Sequence, residues 1–204
     1  MVGPKVAEHS SLCDIGCGIG LVDLELSKTI DSITCIDRHP YAIEILKQRI
    51  QAENIRNITP LLMDCNAIEA GWDVILISFF GSRELEQFLP RCKKLIAVVG
   101  RKSQTELYPE KYRKFQKNTS EEVEGNLNSK GIAYSLTETA FEFGQPFRSE
   151  EDARDFIRTQ SHDINPGDLA GFLAERLVAT GKEDFPLYLP RQKAVGIFEI
   201  EGRL

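Results

Sequence analysis

Apolar residues in this chain come in short runs separated by amphipathic stretches. Residues 12–15, 32–37, 59–64, 73–79 and 94–99 are continuous enough to predict strands. Between them, residues 21–30, 40–52 and 83–92 read as helices. The second of these opens on Pro40, where a missing N–H does no harm, and repeats Ile43, Leu46 and Ile50 at helical spacing. Apolar strands alternating with helices predict a parallel sheet covered on both faces, with right-handed crossovers.

Beyond Gly100 the pattern changes. Residues 101–118 are polar, basic and dotted with Tyr108, Tyr112 and Phe115. Thr119 or Ser120 caps a helix that Gly131 ends, and residues 132–143 alternate like a half-exposed strand. Residues 149–160 and 168–180 read as helices, and 194–200 as a closing strand. Two late strands separated by a helical insertion over 149–181 complete a mixed sheet. The predicted fold is therefore α/β in three layers: a mostly parallel seven-stranded sheet with an antiparallel edge strand. No internal repeat is visible, and a single domain over residues 1–204 is expected.

The first strand runs into Gly16-Cys-Gly-Ile-Gly20, a turn nearly without side chains, and then into a helix. Such a turn lets backbone approach a ligand closely while helix N–H groups face it. Asp37 ends the second strand, and Asp64, followed by Cys65 and Asn66, ends the third. Ligands of open α/β sheets bind beyond the carboxyl ends of the strands, where these groups fall. Each has a plainer alternative: a tight turn for the glycines, a cap at Pro40 for Asp37, and a cap over 65–69 for Asp64. Dinucleotide sites favour G-x-G-x-x-G/A, whereas the third glycine here comes one residue earlier and Asp14 precedes the set. A pyrophosphate is poorly served by an extra carboxylate; an ammonium or sulfonium tolerates one.

At this point the sequence resembles class I S-adenosylmethionine-dependent methyltransferases. Asp14-Ile-Gly-Cys-Gly-Ile-Gly20 is similar to their first motif, Cys35-Ile-Asp37 to the acidic second-strand motif, and Met63-Asp64 to the third. Residues 73–78, preceded by Trp72, are similar to their fourth strand. The resemblance covers residues 12–101 by motif and the rest by element order. It implies a Rossmann-like fold, with residues 1–100 as the donor-binding half and 101–204 as the substrate side. It also implies that Asp14, Gly16, Cys17, Gly18 and Gly20 hold the methionine part of S-adenosylmethionine. Asp37 would accept from the ribose hydroxyls, with Arg38 or His39 along the adenine. Asp64 would accept from the adenine amino group, with Cys65 beside the ring and Ser78 and Phe79 near the sulfonium. The family usually carries one or two helices ahead of the glycine strand; here about ten residues precede it. The expectation is an excerpt of a longer chain, a cap from the segment after Gly100, or a lid from a neighbouring subunit.

Composition narrows the partners. The 204 residues carry a net charge of −6, which argues against a protein that coats nucleic acid. Nothing approaches the roughly 18–20 apolar residues of a membrane span, and the first ten residues lack a signal-peptide core, so a cytoplasmic protein is expected. The five cysteines contain no C-x-x-C pair, Cys13 and Cys35 lie inside strands, and the three histidines show no ligand spacing; no metal is expected.

Methyl transfer from a sulfonium is an in-line displacement that relies mainly on alignment, so a catalytic motif is not required. Ser78-Phe-Phe-Gly-Ser82 stands where relatives acting on exocyclic amines and glutamine amides carry Asn/Asp-Pro-Pro-Tyr, which disfavours those acceptors. Phe79 and Phe80 read as an apolar pocket or as core. Of the possible bases His9, His39 and His162, the last, in a loop between two helices, is the catalytic candidate. Residues 101–117 interleave basic and aromatic side chains as a nucleic-acid strip would, but Glu106 and Glu110 dilute the charge and an amphipathic helix is the favoured reading. The expected function is a methyltransferase acting on a small molecule. Its rivals are the same chemistry on RNA and a non-catalytic donor-binding module working through a partner. A homodimer is compatible with all three.

Overall fold

Ser11–Ile15 (β1) is buried along nearly its whole length, because both faces of a central parallel strand meet helices. It pairs in parallel with Ser32–Asp37 (β2) on one side and Trp72–Ser78 (β4) on the other. β2 pairs with Ile58–Leu62 (β3), where Pro60 stands opposite Cys35, and β4 pairs with Cys92–Gly100 (β5). Ser135–Glu142 (β6) and Gln192–Glu201 (β10) complete the seven-stranded order β3-β2-β1-β4-β5-β10-β6. Gly202 N–H donates to Lys93 O at 2.7 Å and Arg101 N–H to Ala194 O at 2.9 Å, a pairing that runs β10 against β5. The antiparallel edge of this mostly parallel sheet is thus the β10–β6 end.

The computed structural model describes residues 2–79, 84–102, 105–113 and 118–204. These divide into two units, one of Met1–Val99, Ser120–Thr137 and Gly196–Leu204, the other of Gly100–Thr119 and Glu138–Val195. In the first, Gly3–Val6 (α1) buries Val6 and Leu21–Leu26 (α2) buries Leu26. Pro40–Ala52 (α3) spans the predicted residues and buries Ile43 and Leu46. The opposite core gathers Cys13, Ile15, Ile75, Ile77, Phe88 and Phe198 with Val123 and Leu127 of Ser120–Ser129 (α4). Gly131, at φ +64°, closes α4: its N–H bonds Asn128 O and that of Ile132 bonds Leu127 O.

The second unit holds Gln145–Phe147 (β7), Val178–Ala179 (β8) and Leu187–Leu189 (β9) as a small sheet ordered β7-β9-β8. Glu150–Gln160 (α5) and Pro166–Arg176 (α6) share with it a core of Phe147, Ile157, Leu169, Leu173 and Leu189.

Several elements depart from expectation for local reasons. α2 stops at Leu26, four residues early, where Ser27 and Thr29 hydroxyls take the Leu24 and Leu26 carbonyls. The helix expected over 83–92 is a 3-10 segment, Leu85–Arg91, because Pro90 cannot donate an α-helical bond; Arg83 lies outside the described residues. α6 begins two residues early, where Asn165 Oδ1 accepts the Asp168 N–H at 2.8 Å, and yields to β8 after Leu177. Among the described residues of the segment after Gly100 there is one 3-10 turn, Glu110–Tyr112, instead of an amphipathic helix. Three of the segment's described cations pair with acids: Arg113 with Glu106 at 2.9 Å, Lys111 with Asp168 at 2.6 Å, and Arg101 with Glu138. Phe115 lies outside the described residues. Among the described residues no helix is long and apolar enough to cross a membrane.

Asp73, at the start of β4, secures the entry of β1. Its Oδ2 accepts the Ser10 and Ser11 N–H groups at 3.2 and 3.0 Å, and its Oδ1 meets Lys93 Nζ at 2.8 Å. The Lys93 contact and these N–H donors hold its carboxyl at about 2, below the ordinary 3.8. Stability from this group is present above the ordinary value and is lost as pH falls through about 2. Asp73→Asn is expected to cost about 1–2 kcal/mol in urea unfolding at pH 7, with the gap to wild type closing toward pH 2. A loss that is equal at both pH values would assign the effect to packing.

Candidate functional site

The glycine turn is shaped by hydrogen bonds to β2. Ile36 O accepts the N–H groups of Gly16 and Cys17 at 2.8 and 3.1 Å, and Asp37 Oδ2 accepts that of Gly18 at 2.9 Å. Gly16, Gly18 and Gly20 all have positive φ, at 76°, 56° and 73°. At Gly20 a Cβ would also lie 2.3 Å from Leu46 Cδ1 in the core, so this position is closed to side chains twice over. Asp37 does not cap the first turn of α3; its Oδ1 accepts the His39 N–H at 2.8 Å. Asp64 does cap, accepting the Asn66 N–H at 2.9 Å at the head of a 3-10 turn, Cys65–Ala67.

These strand ends face one cavity of about 640 Å³. Gly16, Asp37, Arg38, Asp64, Cys65 and Ser78 line it, with Met63, Asn66, Phe79 and Gln87. Burial, then the neighbouring Asp64 charge, pushes the Cys65 thiol up, which keeps it protonated and uncharged in the wall. The cavity therefore offers two acidic strand ends, one guanidinium and an apolar flank.

A family model described as a methyltransferase domain matches residues 12–100. Those residues, a little under half of the chain, are thus similar to a methyltransferase domain. The probable cobalt-precorrin-6B C(15)-methyltransferase (decarboxylating) of Methanobrevibacter smithii is 31% identical over 88 residues, 41% of this chain and 46% of that protein. The chain thus spans about half the length of this curated relative. Among solved structures, the YcgJ protein of Bacillus subtilis superposes with a TM-score of 0.64 at 14% identity, covering 98% of this chain and 96% of its own. Precorrin 8w decarboxylase of Methanobacterium thermoautotrophicum gives 0.55 at 18% identity, over 96% and 85%. At these identities the structures establish a shared Rossmann-like fold.

Of the predicted positions within residues 12–100, Asp14, Cys17, Gly18 and Gly20 are not in the lining of this cavity. Asp14 is 2% exposed and does not line the cavity. Its carboxyl is held well above the usual range by burial and by Asp23, a residue of α2 that is itself 0% exposed and raised by burial. Sequence reasoning passed over Asp23, although its place three residues from Leu26 put it on the buried face of α2. Gln87 was also missed; it comes from the 3-10 segment, whose short period leaves no pattern to read.

His162 belongs to the second unit, between α5 and α6, with its side chain 72% exposed. Its backbone N–H donates to Tyr112 O at 2.8 Å, its Nδ1 lies 3.4 Å from Asp163, and it does not line the cavity. Phe80 lies outside the described residues. Phe79 is described and unusual: its backbone is left-handed, at φ 56°, while its ring is 52% exposed. An aromatic residue pays for that conformation in strain, which the bond from its N–H to Val98 O at 2.8 Å sustains. Phe79→Gly should unfold at higher denaturant than Phe79→Ala, by about 1 kcal/mol, reversing the usual order of these residues. The usual order, Ala above Gly, would show that the backbone relaxes at no cost.

Proposed function

We propose that the chain is an S-adenosylmethionine-dependent methyltransferase acting on a small-molecule acceptor. The observation that carries this is the convergence of Asp37 and Asp64, on consecutive strand ends, on the one cavity beside the glycine turn. A carboxylate has about four acceptor positions, and the Gly18 and His39 N–H groups occupy two of those on Asp37, leaving two for a pair of ribose hydroxyls. Asp64 spends Oδ1 on Asn66 and keeps Oδ2 for the adenine amino group. Arg38 lies along the adenine, Cys65 gives the ring an uncharged wall, and the turn from Gly16 to Gly20, with Asp14 behind it, takes the methionine end. When bound, the donor supplies a methyl group activated by a positively charged sulfur. The protein's part is to fix the donor's orientation and to hold the acceptor near Ser78 and Phe79 in line with it. The small-molecule acceptor is supported by the curated relative, whose name specifies a cobalt-precorrin.

Calorimetric titration with S-adenosylmethionine, S-adenosylhomocysteine and NAD tests the donor assignment. The first two should bind and NAD should not. Asp37→Ala should weaken donor binding roughly 10- to 100-fold, as expected for lost hydrogen bonds to a charged group, with Asp37→Asn between it and wild type. NAD binding in place of the other two would sink the reading, and unchanged affinity in both variants would remove Asp37 from the site. Transfer of a labelled methyl group to nuclease-treated extract should persist in the small-molecule fraction; loss on nuclease treatment would point to RNA.

A further inference from the structure

Two carboxyl groups behind the glycine turn lie against each other with no cation beside them. Asp14 sits on β1 and Asp23 on α2, both buried, and neither Asp14 Oδ1 nor either oxygen of Asp23 has a hydrogen-bond donor. The titratable groups acting on the pair are Cys13 of β1, Cys17 of the turn, and Cys35 and Asp37 of β2. From β4 the register partner of Asp14 is Leu76, and from α3 the turn meets Leu46 at Gly20. Every charge these groups can carry is negative.

Neighbouring carboxylates buried without a cation cannot both stay ionised. A proton between them removes the repulsion and supplies the donor that their oxygens lack. We propose that Asp14 and Asp23 share one proton, and that the positively charged end of the methyl donor, on reaching the turn, expels it. The inference rests on the donor reading above. In the step, one carboxyl O–H bond breaks, its electron pair stays on the oxygen, and the proton leaves to water. The ammonium of the donor then takes the place of that proton beside the fully ionised pair. Asp23 is a positioning residue in this scheme, acting on the donor through Asp14.

The test is calorimetry of S-adenosylmethionine binding between pH 6.5 and 8.5, in buffers of different ionisation enthalpy, with wild type and Asp23→Asn. Asparagine cannot release the proton, so the variant also corrects for the donor's own α-amino group, which titrates near pH 8. Wild type should release more protons than the variant, by up to one. Its dissociation constant should fall more steeply with pH, by up to tenfold per unit. Donor binding with equal proton release in both proteins overturns this inference alone; absence of donor binding by wild type overturns it together with the donor reading.

Ligand-free unfolding provides a second measurement. The folded chain keeps a proton that an unfolded aspartic acid has lost, so wild type should lose stability relative to Asp23→Asn and to Asp14→Asn as pH rises from 4 to 8. Parallel profiles would overturn the shared proton.

Discussion

The Asp37 carboxylate is the contact on which this site depends. One oxygen fixes Gly18 in the turn and the other fixes His39 ahead of α3, so one side chain sets two entries at once. The backbone of Ile36 does the same for Gly16 and Cys17. Peptide N–H groups that would otherwise need water are satisfied by the end of the neighbouring strand, and the turn has a defined shape before any ligand arrives. Pre-shaping matters for alignment chemistry, because a loop ordered only on binding spends binding energy on its own ordering.

The parts of the fold that sequence revealed are those whose signals are local and agree with one another. α3 has a proline at its first position and a regular apolar repeat, and it spans the predicted residues. β2 is a plain apolar run bounded by polar residues. Where a tertiary requirement competes with local pattern, the reading slipped. Residues 101–113 have the composition of an amphipathic helix, yet Arg101 and Lys111 pair with Glu138 and Asp168, far outside helical spacing. Strands β7, β8 and β9 are two or three residues long, too short to establish a period, and their partners lie up to about forty residues away in the chain.

The site shows the same division. Asp37, Asp64 and the glycines sit at strand ends, where alternation of elements alone places them on one rim. Asp14 was read as part of the turn's motif, and its burial was not visible, since that depends on α2 folding back with Asp23 on its inner face. The left-handed backbone of Phe79 was equally hidden, because nothing in a phenylalanine signals positive φ. Both features concern what neighbouring elements impose on a residue rather than what the residue prefers.

Pro60 has a consequence at the far edge of the sheet. Asn57 O and Met63 N–H both bond toward β2, so in the alternating parallel ladder the nitrogen of Pro60 faces the open side of β3. A strand from another molecule arriving there would meet a ring where it needs a donor. The sheet therefore cannot be extended regularly past β3, and this rim is guarded against edge-to-edge association without a single charge being placed on it.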